Sequence, residues 1–408
     1  MYGRRDSMHE LLTDKTILPY LSKTLPNFAN DNCTVEEIGD GNINYVFRVT
    51  DKNNQRRLIV KQADKLLRSS GRPLDIKRAV REGRALERLN EVVPNYTPKI
   101  YAVDEEMAII IMEDISEYRN LRHVLSECQQ LSQLANDLSE FLAVSLVSST
   151  DLVMEASQKQ LEQAFYSNVE MREISEDLVF TEPYNNQKQR NQIFPGNEDF
   201  VQKHLYDHEA LIMEVASLRY HFMNHGQALL HGDLHSGSIF VSQNGLKVID
   251  PEFAFYGPAG YDIGNVVAHL LLAFYHQLAQ SSVSLTYLSW LRETIIGTLV
   301  ETEKKMSDYY EKEVTLSLYR TSRFKQEWLK GIICDTYGYT GTEMIRRVVG
   351  DTKVAEVTTI EDRERRLDFE REVITLSKKL ILERHTMTSD WLNQHLQKEI
   401  DKYETRRL

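Results

Sequence analysis

The segment 229–264, which reads LLHGDLHSGSIFVSQNGLKVIDPEFAFYGPAGYDIG, carries the residues with the clearest chemical potential. Asp233 follows a His-Gly pair, and Asp250 and Glu252 flank a proline 17 positions later (233 to 250). Two short apolar runs lie between them around Asn244-Gly245, a pair that strongly favours a hairpin turn. Such a hairpin would bring the two acidic sites to the same end of one ribbon. Phosphoryl transfer needs this grouping, with one carboxylate to orient or deprotonate the attacking hydroxyl and others to hold the metal on the nucleotide phosphates.

A metal-binding interpretation competes for the same loop. His231, Asp233 and His235 recur at every second position, so on a strand they would share one face, and His is a common transition-metal ligand. Gly232 and Gly237 favour a loop instead, and the sequence offers no evident fourth ligand. We therefore favour a catalytic role for Asp233 and a structural role for His231, hydrogen-bonded to the backbone.

The region before residue 115 has the mixture of predicted strands and helices that is typical of an α+β unit. A helix is predicted over Leu11–Leu25, where Pro26 stops it. An amphipathic helix is predicted over about Asp75–Asn90, because apolar residues recur there at helical spacing. Strands are predicted at Tyr45–Thr50, Arg57–Lys61, Lys99–Val103 and Met107–Met112.

Long helical stretches dominate after residue 115, interrupted by a strand-rich island at 229–250. Strands with one helix, followed mostly by helices, predict an α+β protein with a small sheet-containing lobe and a larger helical lobe. The change from predicted strands to predicted helices near 113–116 indicates two domains, 1–114 and 115–408, joined by a hinge.

Composition limits the classes of function. Of 408 residues, 49 are Lys or Arg and 61 are Asp or Glu, so the formal net charge is −12. This balance argues against a dedicated nucleic-acid-binding protein, whose affinity depends on neutralising phosphates. The apolar runs fall short of the roughly 20 residues that span a bilayer. Three widely spaced cysteines suit a reducing compartment, so we predict a cytoplasmic protein without a membrane or nucleic-acid partner.

The motifs HGDLHSGSI (231–239) and IDPEFAFYGPAGYDIG (249–264) resemble those of the protein-kinase-like small-molecule kinases, and most specifically the methylthioribose kinases. Aminoglycoside phosphotransferases and choline kinases usually carry Asn five residues after the catalytic Asp. This chain has Ser238 there, as methylthioribose kinases do, and the metal in that family is held by the Asp-x-Glu pair. The resemblance covers about 38–350 and implies a two-lobed protein-kinase-like fold.

The turn at residues 39–42 reads as part of a hairpin, and its glycine pattern alone fits a plain hairpin equally well. The resemblance implies that this loop covers the nucleotide phosphates, with Asn42 and Asn44 supplying polar groups. Lys61 matches the phosphate-binding lysine of the kinase small lobe, and Glu82 is its candidate ion-pair partner. A solvated role for Glu82 remains an open alternative.

Glu113, Asp114 and Ile115 follow the apolar run 107–112 and resemble the segment that binds adenine in these kinases. Backbone groups would bind the base there, so residue identity carries little information. A simple buried strand explains the preceding run equally well.

Arg346 and Arg347 lie side by side in an otherwise apolar predicted helix, where they would project about 100° apart. Buried arginine is costly unless it bonds carboxylates, phosphates or hydroxyls, so composition alone favours a surface ion pair. The resemblance instead implies that the pair binds the acceptor sugar and the transferred phosphoryl group.

The resemblance thus implies an ATP- and Mg²⁺-dependent kinase that phosphorylates 5-methylthioribose at its 1-hydroxyl in methionine salvage. Asp233 would be the catalytic residue and would also contact the substrate, while Asp250 and Glu252 would hold the metal. The family resemblance also suggests a homodimer. Two alternatives are a kinase of another small alcohol (an aminoglycoside, choline or a homoserine-like acceptor) and a catalytically silent nucleotide-binding scaffold.

Overall fold

The computed structural model describes residues 9–28, 32–38, 44–66, 74–282 and 284–407. The predicted phosphate-covering residue Asn42 lies outside these described residues. The side chain of Asn44, at the start of a strand, is described.

The N-terminal part is built on a five-stranded antiparallel sheet with the strand order β1-β2-β3-β5-β4. Its elements are α1 (Ile17–Thr24), β1 (Cys33–Glu37), β2 (Asn44–Asp51), β3 (Arg57–Ala63), α2 (Lys77–Val92), β4 (Ile100–Asp104) and β5 (Ile109–Glu113). The central strand β3 is buried from Leu58 to Ala63, because both faces are covered. This near-continuous apolar strand holds Lys61 in the interior of the lobe.

The rest of the described chain is mostly helical. Its helices are α3 (Leu121–Ser126), α4 (Leu134–Val147), α5 (Ala156–Phe165), α6 (Val169–Phe180), α7 (Glu182–Asn185), α8 (Glu198–Val201), α9 (Glu209–Asn224), α10 (Gly260–Leu278), α11 (Leu285–Glu313), α12 (Ser322–Val349), α13 (Ala355–Thr358), α14 (Arg363–Leu382) and α15 (Ser389–Arg407), with a π-helical turn at Gln202–Tyr206. The core of this part surrounds α10, which is buried from Gly260 to Gln277 and packs against α12. None of the helices within the described ranges combines the length and apolar character that a membrane crossing requires.

Five short strands interrupt the helical part. They are β6 (Arg119–Asn120), β7 (Ala228–Leu230), β8 (Ile239–Ser242), β9 (Gly245–Val248) and β10 (Phe255–Gly257), and a 3₁₀ turn spans Pro251–Phe253. They form a β6-β8-β9 sheet and a β7-β10 pair, both antiparallel. The loop that carries Asp233 joins β7 to β8, and the loop that carries Asp250 follows β9.

Most predicted elements are confirmed, with shifted boundaries. The hairpin turn is Gln243-Asn244 rather than Asn244-Gly245, because Gly245 is already paired with Ser242 across the two strands. The first helix begins at Ile17, six residues later than predicted, because the preceding chain is hydrogen-bonded to the central strand β3. There the Leu12 amide donates a hydrogen bond to Gln62 Oε1 (2.8 Å).

The strand predicted at Met107–Met112 begins only at Ile109. The residues before it form a tight turn, in which Asp104 Oδ1 accepts hydrogen bonds from the Glu106 and Met107 amides (3.1 and 3.0 Å). Ala108, at the end of this turn, has a left-handed φ of 52°.

Candidate active site

The loop between β7 and β8 is held in shape by a buried aspartate on α10. Asp262 accepts hydrogen bonds from the amides of His231 (2.6 Å) and Gly232 (3.1 Å). Burial raises the pKa of Asp262 to about 7, although both amides oppose the rise. Through these two hydrogen bonds, Asp262 braces the backbone of the loop that carries Asp233.

Both ring nitrogens of His231 form hydrogen bonds with backbone groups inside the protein. Its Nε2 donates to the carbonyl of Ile249 (2.8 Å), and its Nδ1 accepts from the amide of Asp233 (3.3 Å). The backbone-bonding role predicted for His231 is therefore confirmed. Within the described ranges, no three or more His, Cys, Asp or Glu side chains are grouped as metal ligands, so the competing triad does not form.

Asp233 lies in a cationic environment. Its Oδ1 is 3.6 Å from Arg346 Nη1 and 3.6 Å from Arg347 Nη2, and its Oδ2 is 3.5 Å from His235 Nε2. Burial alone would raise the pKa of Asp233, but His235 and the two arginines outweigh it and hold the pKa well below its usual range. The carboxylate is thus ionised at neutral pH and available to accept a hydrogen bond.

Asp250 and Glu252 lie where the chain leaves β9. Asp250 adopts a left-handed conformation (φ 64°), which turns the chain into the 3₁₀ turn that contains Glu252. Burial raises the pKa of Glu252, and the nearby carboxylates of Asp250 and Asp233 add to that rise. The three acids selected from the sequence therefore lie within electrostatic reach of one another.

Lys61 connects this acidic site to the N-terminal sheet. Its Nζ donates to Glu82 Oε1 on α2 (2.7 Å) and also to Asp250. Burial would lower the pKa of Lys61, but the charges of Asp250 and Glu82 outweigh it and raise the pKa. The lysine is therefore a permanent cation, and the Lys61–Glu82 pairing expected from the sequence is present.

A second cation joins the sheet to the same acids. Arg78, on α2, donates from Nη2 to Asn44 Oδ1 (2.8 Å), and its Nε lies 3.4 Å from Glu252 Oε2. Sequence motifs indicate Asn44 and Glu252 but give no indication of Arg78. Only its place on the amphipathic helix could have indicated it, since Arg78 is 1% exposed on the face that packs inward.

The segment predicted to bind adenine begins at Glu113, the last residue of β5, and its side chains form hydrogen bonds with neighbouring residues. Glu113 Oε2 accepts from the amide of Lys99 (3.0 Å), and Asp114 Oδ2 accepts from Arg48 Nε (2.9 Å). The carbonyl of Ile115 accepts from the amide of Tyr118 (2.8 Å). The two carboxylates thus serve the local structure, and any contact with a base would come from backbone groups.

Arg346 and Arg347 are both buried near the end of α12, and both turn toward one acid. Arg346 Nη1 is 3.1 Å from Glu343 Oε2, and Arg347 Nε is 2.6 Å from Glu343 Oε1. Burial would raise the pKa of Glu343, but the two arginines outweigh it and lower the pKa. The surface ion pair favoured by composition is wrong, because this end of the helix lies inside the protein.

Two further residues near Asp233, Glu343 and a third arginine, Arg122, were not predicted from the sequence. The signal for Glu343 was its spacing of three and four residues before the arginine pair. Arg122, on α3, donates its amide to the carbonyl of Ser236 (3.3 Å) in the loop that carries Asp233, and its Nε lies 3.6 Å from Glu356 Oε1. No local pattern predicted this contact.

A sheet with a buried lysine, joined to a helical part with clustered acids and arginines, defines a two-lobed small-molecule phosphotransferase. The model of the phosphotransferase enzyme family (APH) matches residues 34–289. Methylthioribose kinases from a Geobacillus strain and from Cronobacter sakazakii are 38% and 37% identical to the chain. Each of these matches covers 86% of this chain, and they cover 87% and 88% of the two relatives.

Among solved structures, a choline kinase from Cryptosporidium parvum shares the fold, with a TM-score of 0.50 and 18% sequence identity. That match covers 93% of this chain and 99% of the choline kinase. The chain belongs to the phosphotransferase enzyme family and, within it, to the methylthioribose kinases. It is a small-molecule kinase with the protein-kinase-like fold that the sequence motifs predicted.

Proposed function

We propose that the protein transfers the γ-phosphoryl group of ATP to the 1-hydroxyl of 5-methylthioribose, giving 5-methylthioribose 1-phosphate in methionine salvage. The 38% identity to a methylthioribose kinase over 86% of the chain supports the choice of acceptor. The observation that carries the chemistry is the position of Asp233, which faces Arg346 and Arg347 at 3.6 Å.

In this reaction Asp233 binds the acceptor hydroxyl and accepts its proton as the oxygen attacks the phosphoryl group. The low pKa of Asp233, set by His235 and the arginines against burial, keeps the carboxylate ionised for this task. Arg346 and Arg347 bind the acceptor sugar and stabilise the negative charge on the moving phosphoryl.

We propose that the nucleotide lies between the lobes 1–114 and 115–408. Lys61 would bind its phosphates, because the lysine is a buried cation beside the acidic site. Asn42 and Asn44 belong to the segment that the sequence motif predicts to cover the phosphates. Backbone groups of residues 113–115 would bind the adenine.

Asp250 and Glu252 fit a divalent cation. Carboxylate oxygens are the ligands that Mg²⁺ prefers, and Glu252 Oε2 is buried without a hydrogen-bond partner while the Asp250 side chain is 45% exposed. We propose that these two residues would hold Mg²⁺, which when bound neutralises charge on the nucleotide phosphates.

Family membership also supports the proposals of a cytoplasmic location and a homodimer. The other alcohol acceptors considered from the sequence are weaker candidates. A polycationic aminoglycoside or choline would meet the two buried arginines beside Asp233, and like charges disfavour such a complex.

The proposal is tested by ADP release from ATP and Mg²⁺ with a panel of acceptors: 5-methylthioribose, choline, homoserine and an aminoglycoside. We expect kcat/KM for methylthioribose to exceed the other values by at least about a hundredfold, as a site that pairs with substrate hydroxyls allows. Preference for another acceptor would overturn the substrate assignment. Absence of ADP release with every acceptor would favour the silent scaffold.

A further inference from the structure

The two oxygens of the Asp233 carboxylate face different partners. Oδ1 faces Arg346 and Arg347 on α12, whereas Oδ2 faces the ring of His235, two residues further along the same loop. Because the arginines and the histidine lie on separate elements, the carboxylate is held from two directions.

The backbone fixes the protonation pattern of the neutral His235 ring. The amide of Gly237 donates to His235 Nδ1 at 2.9 Å, so this nitrogen carries no proton. The proton of a neutral imidazole is then on Nε2, which lies 3.5 Å from Asp233 Oδ2. The ring is thus oriented as a hydrogen-bond donor toward the aspartate.

The loop itself holds the histidine in place. The amide of His235 donates to the carbonyl of Asp233 (3.1 Å), and the Ser238 hydroxyl donates to the same carbonyl (3.3 Å). The His235 ring lies 5.4 Å from the ring of His269, centroid to centroid. A side chain confined in this way can restrict the rotation of its neighbour.

We propose that His235 is a positioning residue, whose Nε2–H holds Oδ2 of Asp233 and so turns Oδ1 toward the arginines, where acceptor hydroxyl and phosphoryl group meet. The inference rests on the proposed function, because it assigns Asp233 as the residue that accepts the hydroxyl proton. Burial raises the pKa of Asp233, and the His235 side chain, as a hydrogen-bond donor to the carboxylate, acts to lower it.

Two substitutions separate this role from a purely structural one. His235→Asn keeps an acceptor for the Gly237 amide but is too short to reach Asp233. His235→Gln places an N–H donor near the position of Nε2 but gives up the acceptor for Gly237. We expect His235→Asn to lower kcat about tenfold to a hundredfold, with KM for ATP within twofold of wild type, and His235→Gln to retain kcat within about fivefold.

Wild-type kcat in His235→Asn, or a larger loss in His235→Gln than in His235→Asn, would overturn the proposal. Thermal melting of both variants verifies that they fold. In the background of Asp233→Asn, His235→Asn should lower kcat no further, because two residues that act as a unit are non-additive.

A second measurement needs no acceptor, so failure of the proposed function can be told apart from failure of this inference. In ¹⁵N-histidine-labelled protein, with His235→Gln used for assignment, we expect the His235 resonances of the Nε2–H tautomer, and a changed Nε2 shift in Asp233→Ala. A proton on Nδ1, or an unchanged Nε2 shift in Asp233→Ala, would contradict the inference even if the sugar is phosphorylated.

Discussion

Charge neutralisation between neighbours explains why so many ionisable groups can be buried around Asp233. Glu343 contacts both Arg346 and Arg347, and those arginines in turn face Asp233. Removing one member of such a set leaves an uncompensated buried charge, which is far more costly than loss of an exposed pair. The chemistry of the site therefore depends on an acid that touches no substrate in the proposed mechanism.

We expect Glu343→Gln to lower the free energy of unfolding at pH 7 by about 3 kcal/mol, because two buried arginines lose their shared carboxylate. Chemical denaturation measures this loss. Glu383→Gln is the matched control: Glu383 pairs with Lys379 at the same i, i+4 spacing but is 49% exposed, so the change should be below about 1 kcal/mol.

The effect of Glu343 should also depend on pH. Its pKa is lowered in the folded protein, so its contribution is present above the unfolded value of 4.5 and is lost as the pH falls below it. The difference in stability between wild type and Glu343→Gln should narrow from pH 7 to pH 4. A constant or widening difference would show that the carboxylate is not the stabilising species.

Single residues were predicted from the sequence only where they belong to a local motif. Asp233, Asp250 and Glu252 lie in one contiguous segment, and the structure brings them together. Arg78 and Arg122 reach the site from separate helices, so their contacts depend on how those helices pack. The catalytic, metal-binding and nucleotide-binding roles themselves remain predictions.

At the scale of elements, the loop that carries Asp233 and the 3₁₀ turn Pro251–Phe253 are in direct backbone contact. Gly232 has φ +85°, and a Cβ built on it would lie 2.4 Å from the carbonyl oxygen of Phe253. Only glycine allows both this conformation and this approach. The contact sets the separation between the loop of Asp233 and the turn of Glu252.

We expect Gly232→Ala to lower stability by about 1–3 kcal/mol and kcat by tenfold or more, because the added methyl group strains the backbone and separates the two acidic sites. Thermal melting and steady-state kinetics measure the two effects. In the control Gly331→Ala, on the exposed side of α12, the new Cβ meets no heavy atom within 4 Å.

Because alanine favours a helix over glycine, Gly331→Ala should leave kcat unchanged and raise stability by up to about 1 kcal/mol. Equal stability and activity in Gly232→Ala and wild type would mean that the contact between loop and turn is unimportant.

Most helices and strands could be predicted because the spacing of hydrophobic residues and the presence of turn-forming residues are local features of the sequence. The predicted start of an element is wrong where a side chain accepts hydrogen bonds from the backbone amides that precede it. Gln62 binds the amide of Leu12 and displaces the start of α1, and Asp104 caps the turn that delays β5. The period of hydrophobic residues along the sequence does not predict such long-range or capping hydrogen bonds.

At the scale of the whole molecule, two of the cation–carboxylate contacts that join the N-terminal part to the helical part lie at the candidate active site. Lys61 on β3 binds Asp250, and Arg78 on α2 approaches Glu252. The same two carboxylates are the proposed metal ligands. Binding of the metal and nucleotide should therefore compete with, or rearrange, the contacts that join the lobes.

We expect Asp250→Asn to raise the Mg²⁺ concentration for half-maximal activity about tenfold or more, because a ligand is lost. Activity titrations with Mg²⁺ at fixed ATP measure this. Asp151→Asn is a control for loss of a lysine partner, since Asp151 pairs with buried Lys159 (2.5 Å) on the helical part. It should leave the Mg²⁺ requirement unchanged, and an equal shift in both variants would contradict the assignment of Asp250.

The most direct test of the central claim compares wild type with Asp233→Asn, using ³¹P NMR to follow product formation from ATP and 5-methylthioribose. We expect a sugar 1-phosphate from wild type, and turnover lower by a factor of about 10²–10⁴ in Asp233→Asn with ATP affinity within about threefold of wild type. Turnover at the wild-type rate in Asp233→Asn, or phosphate on a different oxygen of the sugar, would contradict it.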